Sequence, residues 1–233
     1  MAELNNVSLI NDGDLIAYWR FEGNNTATKG SITGADTSIT YSNANGKYGQ
    51  GIGVNGSTSK ILLTDSGNVL NVATQISVSY WIKDYTTGVV LSNEYYQSGS
   101  SGTGWVVIGN GISVWGLESG SPDSKSITGD VNDGNWHHVV HTFNESTNQY
   151  YGYYDGDLQV SDNTTIVEDL EYKAGMYRVI GARYDYTGPT YASFLNAECK
   201  VDDLAVFDRV LTPAEVFLLY QDGRFLDLTS KTW

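Results

Sequence analysis

The sequence predicts an all-β sandwich of two antiparallel sheets, a dozen or so strands in all, with one short helix near the C-terminus. Three observations carry that expectation. Short alternating or apolar runs recur along the 233 residues, separated by Gly, Asn, Asp and Ser. The composition spends its positions on 26 Gly, 17 Tyr and 6 Trp, with 3 Pro and 2 Met, and otherwise favours Thr, Ser, Val and Asn, which is strand-and-turn chemistry. One stretch carries the start signals of a helix. The length suits one large sandwich, and no Pro-rich linker or internal repeat divides the chain.

Leu15–Phe21 opens the series and is stopped by Gly23-Asn24-Asn25. After a polar stretch with weak strand signal near Ser38–Tyr41, Tyr48–Val54 and Lys60–Thr64 flank an Asn55-Gly56 turn. Gln75–Lys83 alternates: Ile76, Val78, Tyr80 and Ile82 share one face, Ser77, Ser79, Trp81 and Lys83 the other. Val89–Asn93, Gly104–Ile108 and Ile112–Gly116 follow, the last two joined at an Asn110-Gly111 hairpin signal. Next come His137–Phe143, then Gln149–Tyr154 and Asp157–Val160 joined at Asp155-Gly156. Arg178–Ala182 and Lys200–Phe207 complete the strands. In Thr212-Pro213-Ala214-Glu215 a capping residue precedes a Pro at the first helical position and the Glu that closes a capping box; the helix runs through Tyr220 and stops at Gly223.

Charge and cysteine content exclude several functions. Against 27 acidic residues stand 13 basic ones, a net charge of −14, so the field repels nucleic-acid backbones and anionic membrane surfaces. One cysteine, Cys199, rules out an internal disulfide framework. No apolar run reaches the length of a membrane span, so no membrane insertion is expected, and no signal peptide is visible.

Several segments, in order, resemble the laminin-G-like family of the concanavalin A-like lectin/glucanase superfamily. Ala17-Tyr18-Trp19-Arg20-Phe21-Glu22-Gly23 resembles its opening strand. Gly46-Lys47-Tyr48-Gly49-Gln50-Gly51 and Val54-Asn55-Gly56 follow, then the Trp-bearing strand at Ile76–Lys83. Asp133-Gly134-Asn135-Trp136-His137-His138-Val139 is the most specific match, and Val201–Val216 fits the last strand and terminal helix. The resemblance implies a jelly-roll sandwich over residues 15–222, leaving 1–14 as an extension and 223–233 as a tail. It also implies either of two roles, glycan or protein binder, or polysaccharide hydrolase.

Site chemistry favours the binder. A retaining glycosidase needs two carboxylates about 5 Å apart on one face. The dense acidic run Glu168-Asp169-Leu170-Glu171 instead puts Glu168 and Asp169 on opposite faces, in no clear strand. His137 and His141 stand about 13 Å apart on a strand with His138 pointing away, so structural histidines are expected rather than a zinc site. The resemblance implies a structural calcium ion held by Asp202 in the final strand; the early loop Gly23–Lys29 departs from that pattern, with Thr28 where an Asp often stands. Trp19, Phe21, Tyr80, Phe143 and Phe207 are expected to pack in the core, while Trp81 suits either core or the concave surface. Tyr95, Tyr96, Trp115, Tyr184, Tyr186 and Tyr191 lie in or near Gly/Ser/Asn-rich loops and form the expected ligand face, since flat rings with a polar handle stack on sugars. Alternation of Tyr150, Tyr151, Tyr153 and Tyr154 should expose about half of them. The expected function is a non-catalytic lectin-like module for a glycan or glycoprotein surface. An extracellular-type fold with no export signal suggests an extracellular or bacteriophage virion surface, where a purely structural decoration or adhesion role is the alternative and other virion proteins or a second copy are candidate partners.

Overall fold

The computed structural model describes residue 9 and residues 11–72, 74–95, 103–115, 123–163, 170, 176–185 and 192–221. Strands are numbered in chain order. The first sheet runs β13 (Asp157–Asn163), β12 (Gln149–Tyr154), β11 (His137–Asn144), β6 (Gln75–Thr87), β17 (Glu198–Phe207), β4 (Gly51–Asn55), β3 (Thr40–Ser42), with β1 (Leu15–Trp19) also paired to β17. The second runs β10 (Asp123–Ser126), β9 (Gly111–Trp115), β8 (Thr103–Ile108), β7 (Val89–Tyr95), β14 (Tyr177–Ile180), β5 (Lys60–Thr64), β2 (Thr33–Thr37). A small ribbon pairs β15 (Arg183–Asp185) with β16 (Ala192–Phe194). The helix, α1, spans Pro213–Gln221. The predicted two-sheet antiparallel jelly-roll sandwich with one C-terminal helix is the observed architecture.

Strand β17 shows how the pairing is partitioned. Glu198–Val201 pair with β4 and Leu204–Phe207 with β1, and the register against β6 shifts between Asp202 and Ala205. At this bulge Asp203 takes a left-handed φ of 47°. A bulge lets one strand turn its pairing edge from one neighbour to the next.

Two apolar clusters hold the fold. The larger fills the space between the sheets and contains Trp19, Phe21, Tyr80, Trp105, Phe143 and Tyr150 among its buried members. The smaller lies on the outer face of the first sheet, where Val140, Tyr153, Ala205 and Phe207 are covered by Leu9 and Leu15 and by Val216 and Leu219 of α1. The expected core aromatics are thus all buried, with Phe207 in the second cluster. Ahead of Leu15, Leu9 is 3% exposed and Asp12 is ion-paired to Arg209, so both of these residues pack against the sandwich.

Covering that outer face also changes the tyrosine hairpin. Tyr150 and Tyr153 are buried, and Tyr151 and Tyr154 are half-buried. The expectation that half would be exposed fails because Tyr150 and Tyr154 pack with the inter-sheet core, and Tyr151 and Tyr153 pack under the layer containing α1. The capping box forms as expected: the Glu215 amide donates to Thr212 Oγ1 at 3.3 Å, and the Thr212 amide donates to Glu215 Oε2 at 2.8 Å. The Gly223 stop lies outside the described residues. Asp155 and Gly156 both have positive φ, as a two-residue hairpin turn of this kind requires. The other hairpin is displaced by one residue: Ile108 pairs with Gly111, so Gly109 and Asn110 form the turn.

Candidate functional site

The outer face of the second sheet carries an aromatic platform. Ile180 and Ile61 pair across β14 and β5 and point into the core, so Tyr177 and Lys60 belong to the opposite, outer face. Tyr184, on β15, stacks on Tyr177 with ring centroids 5.1 Å apart and planes 15° from parallel. The Lys60 ammonium lies 5.4 Å from the Tyr184 ring centroid, a cation–π contact. All three side chains are half-buried. One flank of the platform is built from charge: Arg183, next to Tyr184, forms a two-pronged ion pair with Glu94 of β7, with Nη2 donating to Oε2 at 2.6 Å. That pair ties β15 to the sheet.

Of the predicted ligand residues, Tyr184 is placed on this platform. Backbone register sets Trp115 opposite Gly104, Gly104 opposite Glu94 and Glu94 opposite Tyr177, so Trp115 belongs to the same transverse row of the sheet. Tyr95 pairs with Thr103 one position further along. Tyr96, Tyr186 and Tyr191 lie outside the described residues, as do Glu168, Asp169 and Glu171. Tyr177 and Lys60 were missed because each looks ordinary in the sequence. Only the strand register brings them beneath Tyr184.

Trp81 is on neither the inter-sheet core nor an open surface. It lies on the outer face of the first sheet, 5% exposed, with Tyr220 of α1 stacked on it at 5.9 Å and the Lys47 ammonium 4.2 Å from its ring centroid. The three histidines stay apart, as their strand spacing predicts. His137 bridges Asp155 and Asp133, each at 2.9 Å; burial opposes its protonation, but these two carboxylates outweigh burial and raise its pKa. His138 Nε2 contacts Ser79 Oγ at 2.9 Å, and His141 sits between the Tyr80 and Tyr150 hydroxyls. Burial pushes both of these imidazoles down to about 3, so they are neutral at physiological pH.

Asp202 occupies the β17 bulge and is fully buried. Its Oδ2 accepts the amides of Lys47 at 2.8 Å and Tyr48 at 2.9 Å, and its Oδ1 accepts the Asp203 amide at 2.9 Å. Burial raises its pKa to about 7, with the Glu22 charge acting in the same direction and the three amides opposing it. Amide donors directed at a carboxylate are the surroundings of an anchored anion. A calcium cage needs several oxygens converging on one point. Among the described residues no group of three or more His, Cys, Asp or Glu side chains converges on a metal position. These donors fit a carboxylate that pins the 47–48 loop to β17.

A groove of 320 Å³ lies elsewhere on the first sheet, lined by residues including Thr40, Asn45, Val54, Asp84, Glu198 and Lys200. An Asp84–Lys200 ion pair at 2.8 Å crosses it, and no aromatic ring lines it.

Comparisons with known proteins place the geometry. In mouse (Mus musculus), the Sushi, von Willebrand factor type A, EGF and pentraxin domain-containing protein 1 is 28% identical over 156 residues, which is 66% of this chain but 4% of that protein. Among solved structures, the fold is similar to a botulinum neurotoxin type C structure described as dependent on two ganglioside molecules for cell entry (TM-score 0.67, 14% identity, 94% of this chain and 53% of that one). It is also similar to domain 4 of AbnA, an extracellular arabinanase from Geobacillus stearothermophilus, solved with arabinotriose (TM-score 0.61, 19% identity, 89% of this chain and 98% of that one). The chain therefore spans about half the length of the toxin structure and nearly the whole of the arabinanase domain, and at these identities the likeness is one of fold. A laminin G-type family model matches residues 55–217, well over half of the sequence, and with the two-sheet jelly roll this shows that the chain belongs to the concanavalin A-like lectin/glucanases superfamily.

Proposed function

We propose that this chain is a non-catalytic, lectin-like module that binds a glycan or glycoprotein surface through the outer face of its second sheet. The observation that carries the reading is the stacked Tyr177–Tyr184 pair with Lys60 against it. Half-buried rings present an apolar face to the C–H side of a sugar, while their hydroxyls and the ammonium supply hydrogen bonds to its rim. The similar folds solved as the binding domain of botulinum neurotoxin DC with SialylT and as an arabinanase domain with arabinotriose support a glycan ligand; the same toxin domain with rat synaptotagmin II supports a protein surface as well. A binding role is supported too by the position of Asp202. Its pKa lies in the range of an acid/base catalyst, yet the side chain is sealed beneath the 47–48 loop, out of reach of a substrate. A surface setting, on a virion or outside a cell, belongs to the same proposal and agrees with the strongly acidic, solvating exterior.

The test is an array of immobilised glycans that includes arabino-oligosaccharides and gangliosides, probed with the whole chain and with Tyr184→Ala and Tyr177→Ala. Each aromatic contact contributes about 0.5–1.5 kcal/mol, so the double variant should bind roughly tenfold or more weakly. Binding that survives both substitutions, or no binding to any glycan, sinks the proposal.

A further inference from the structure

A separate cleft of 170 Å³ opens on the outer face of the first sheet, on the far side of the sandwich from Tyr184. Trp81 is its floor, and Trp136, Tyr48, Lys47, Asp155 and Gln221 complete the wall with Tyr220. Five segments converge there: the 47–48 loop held by Asp202, strand β6, the Trp136 turn leading into β11, the Asp155-Gly156 turn, and the last turn of α1. Gly156 makes the convergence possible, since a Cβ at that position would come within 2.9 Å of the Tyr220 ring.

We infer that this cleft is a second binding site, for one neutral sugar ring such as the terminal residue of an uncharged glycan. Size limits the ligand first. Drug-sized ligands occupy about 300–1,000 Å³, and a cleft of 170 Å³ has room for a single ring. Its lining selects a polyol. Tyr48 meets Trp81 edge-on at 5.8 Å, and half-buried Trp136 adds a ring to a lining that is mostly polar. Lys47 and the Gln221 amide donate hydrogen bonds. Asp155 accepts them. A sugar hydroxyl both donates and accepts, and needs both kinds of partner close together.

Charge selects against a sugar acid. The C-terminal end of α1 carries partial negative charge, and Asp155 adds a carboxylate, within a protein of net charge −14. Lys47, held over the Trp81 ring at 4.2 Å, opposes them with a single positive charge and remains a hydrogen-bond donor at the cleft. Asp155 is itself fixed, its Oδ2 on His137 Nδ1 and its Oδ1 accepting the His138 amide, each at 2.9 Å, so the wall is held in place before a ligand arrives. The site deepens the glycan-binding reading but shares no residue with the Tyr177–Tyr184 platform, so the two stand or fall separately.

The experiment is amide and indole chemical-shift mapping of the isotope-labelled chain with methyl galactoside, arabinose and glucuronate as probes. The neutral sugars should shift the Trp136 indole and Gln221 amide signals with a dissociation constant on the order of 1–10 mM, and glucuronate should bind about tenfold more weakly. Gln221→Ala and Lys47→Met should each weaken the neutral sugars about fivefold or more, and Tyr184→Ala should leave these shifts unchanged. Signals at Trp136 and Gln221 that stay still with every probe overturn the inference. So do glucuronate binding as tight as that of the neutral sugars, and shifts confined to the Tyr184 face. The wild-type mapping decides even where a variant fails to fold.

Discussion

Replacing Glu94 with Gln removes one charge from the buried pair that holds β15 against the second sheet. The side chains of Glu94 and Arg183 are 1% and 8% exposed, so solvent screens the interaction little. The Arg183 guanidinium loses its counter-charge but stays in the protein interior. At an effective dielectric constant near 20, two unit charges 4 Å apart attract by about 4 kcal/mol, and breaking one partner of a buried pair costs about 3–5 kcal/mol. For a chain of this length each kcal/mol moves the melting temperature by about 2–4 °C, so Glu94→Gln should lower it by roughly 6–20 °C. Urea titration of the wild type, Glu94→Gln and the double variant Glu94→Leu/Arg183→Met measures the effect. The double variant should recover most of the loss, because apolar groups of similar shape strand no charge. A single substitution costing under about 1 kcal/mol, or a double variant less stable than the single one, refutes the reasoning.

Acidification should act through the histidines. His138 and His141 have pKa values lowered to about 3 by burial, against about 6.5 in the unfolded chain, so the unfolded state takes up their protons first and stability falls as pH drops below 6.5. By pH 5 each contributes a loss of about 2 kcal/mol, and His141→Met should flatten the stability–pH curve between pH 7 and 5 by that amount relative to wild type. Parallel curves would show that the imidazole is solvated. Asp202 has the opposite sign: the protonation-linked part of its contribution is largest in acid and lost as pH rises through about 7, while its three amide hydrogen bonds remain. Asp202→Ala strands three amide donors at neutral pH and should cost about 3 kcal/mol or more in urea unfolding, freeing the 47–48 loop; a loss below 1 kcal/mol contradicts the pinning role. Adding millimolar calcium should leave the wild-type melting temperature unchanged, whereas a rise that chelator reverses would restore an ion to the Asp202 position.

Sequence pattern revealed the strands whose one face is buried. Gln75–Lys83 alternates because Ile76, Val78, Tyr80 and Ile82 meet the opposing sheet, and the structure places them there. Thr33–Thr37 and Asp123–Ser126 were not legible, since both are polar strands at a sheet edge, held by backbone pairing that leaves no mark on side-chain type. Trp81 sits among serines in the sequence, which hid the second layer that covers it. The binding platform was half legible: Tyr184 stands out in a loop, while its partners Tyr177 and Lys60 come from strands distant in the chain and meet it only through register. Asp202 was singled out by its place in the final strand, but its partners are backbone amides, which no residue pattern encodes.

Leu9, near one end of the described chain, and Leu219, near the other, touch the same patch of the first sheet, and Arg209 clasps both Asp12 and Glu215. The two ends of the described chain therefore meet on one side of the sandwich, next to the cleft beside Gln221, and the Tyr177–Tyr184 platform lies on the opposite side.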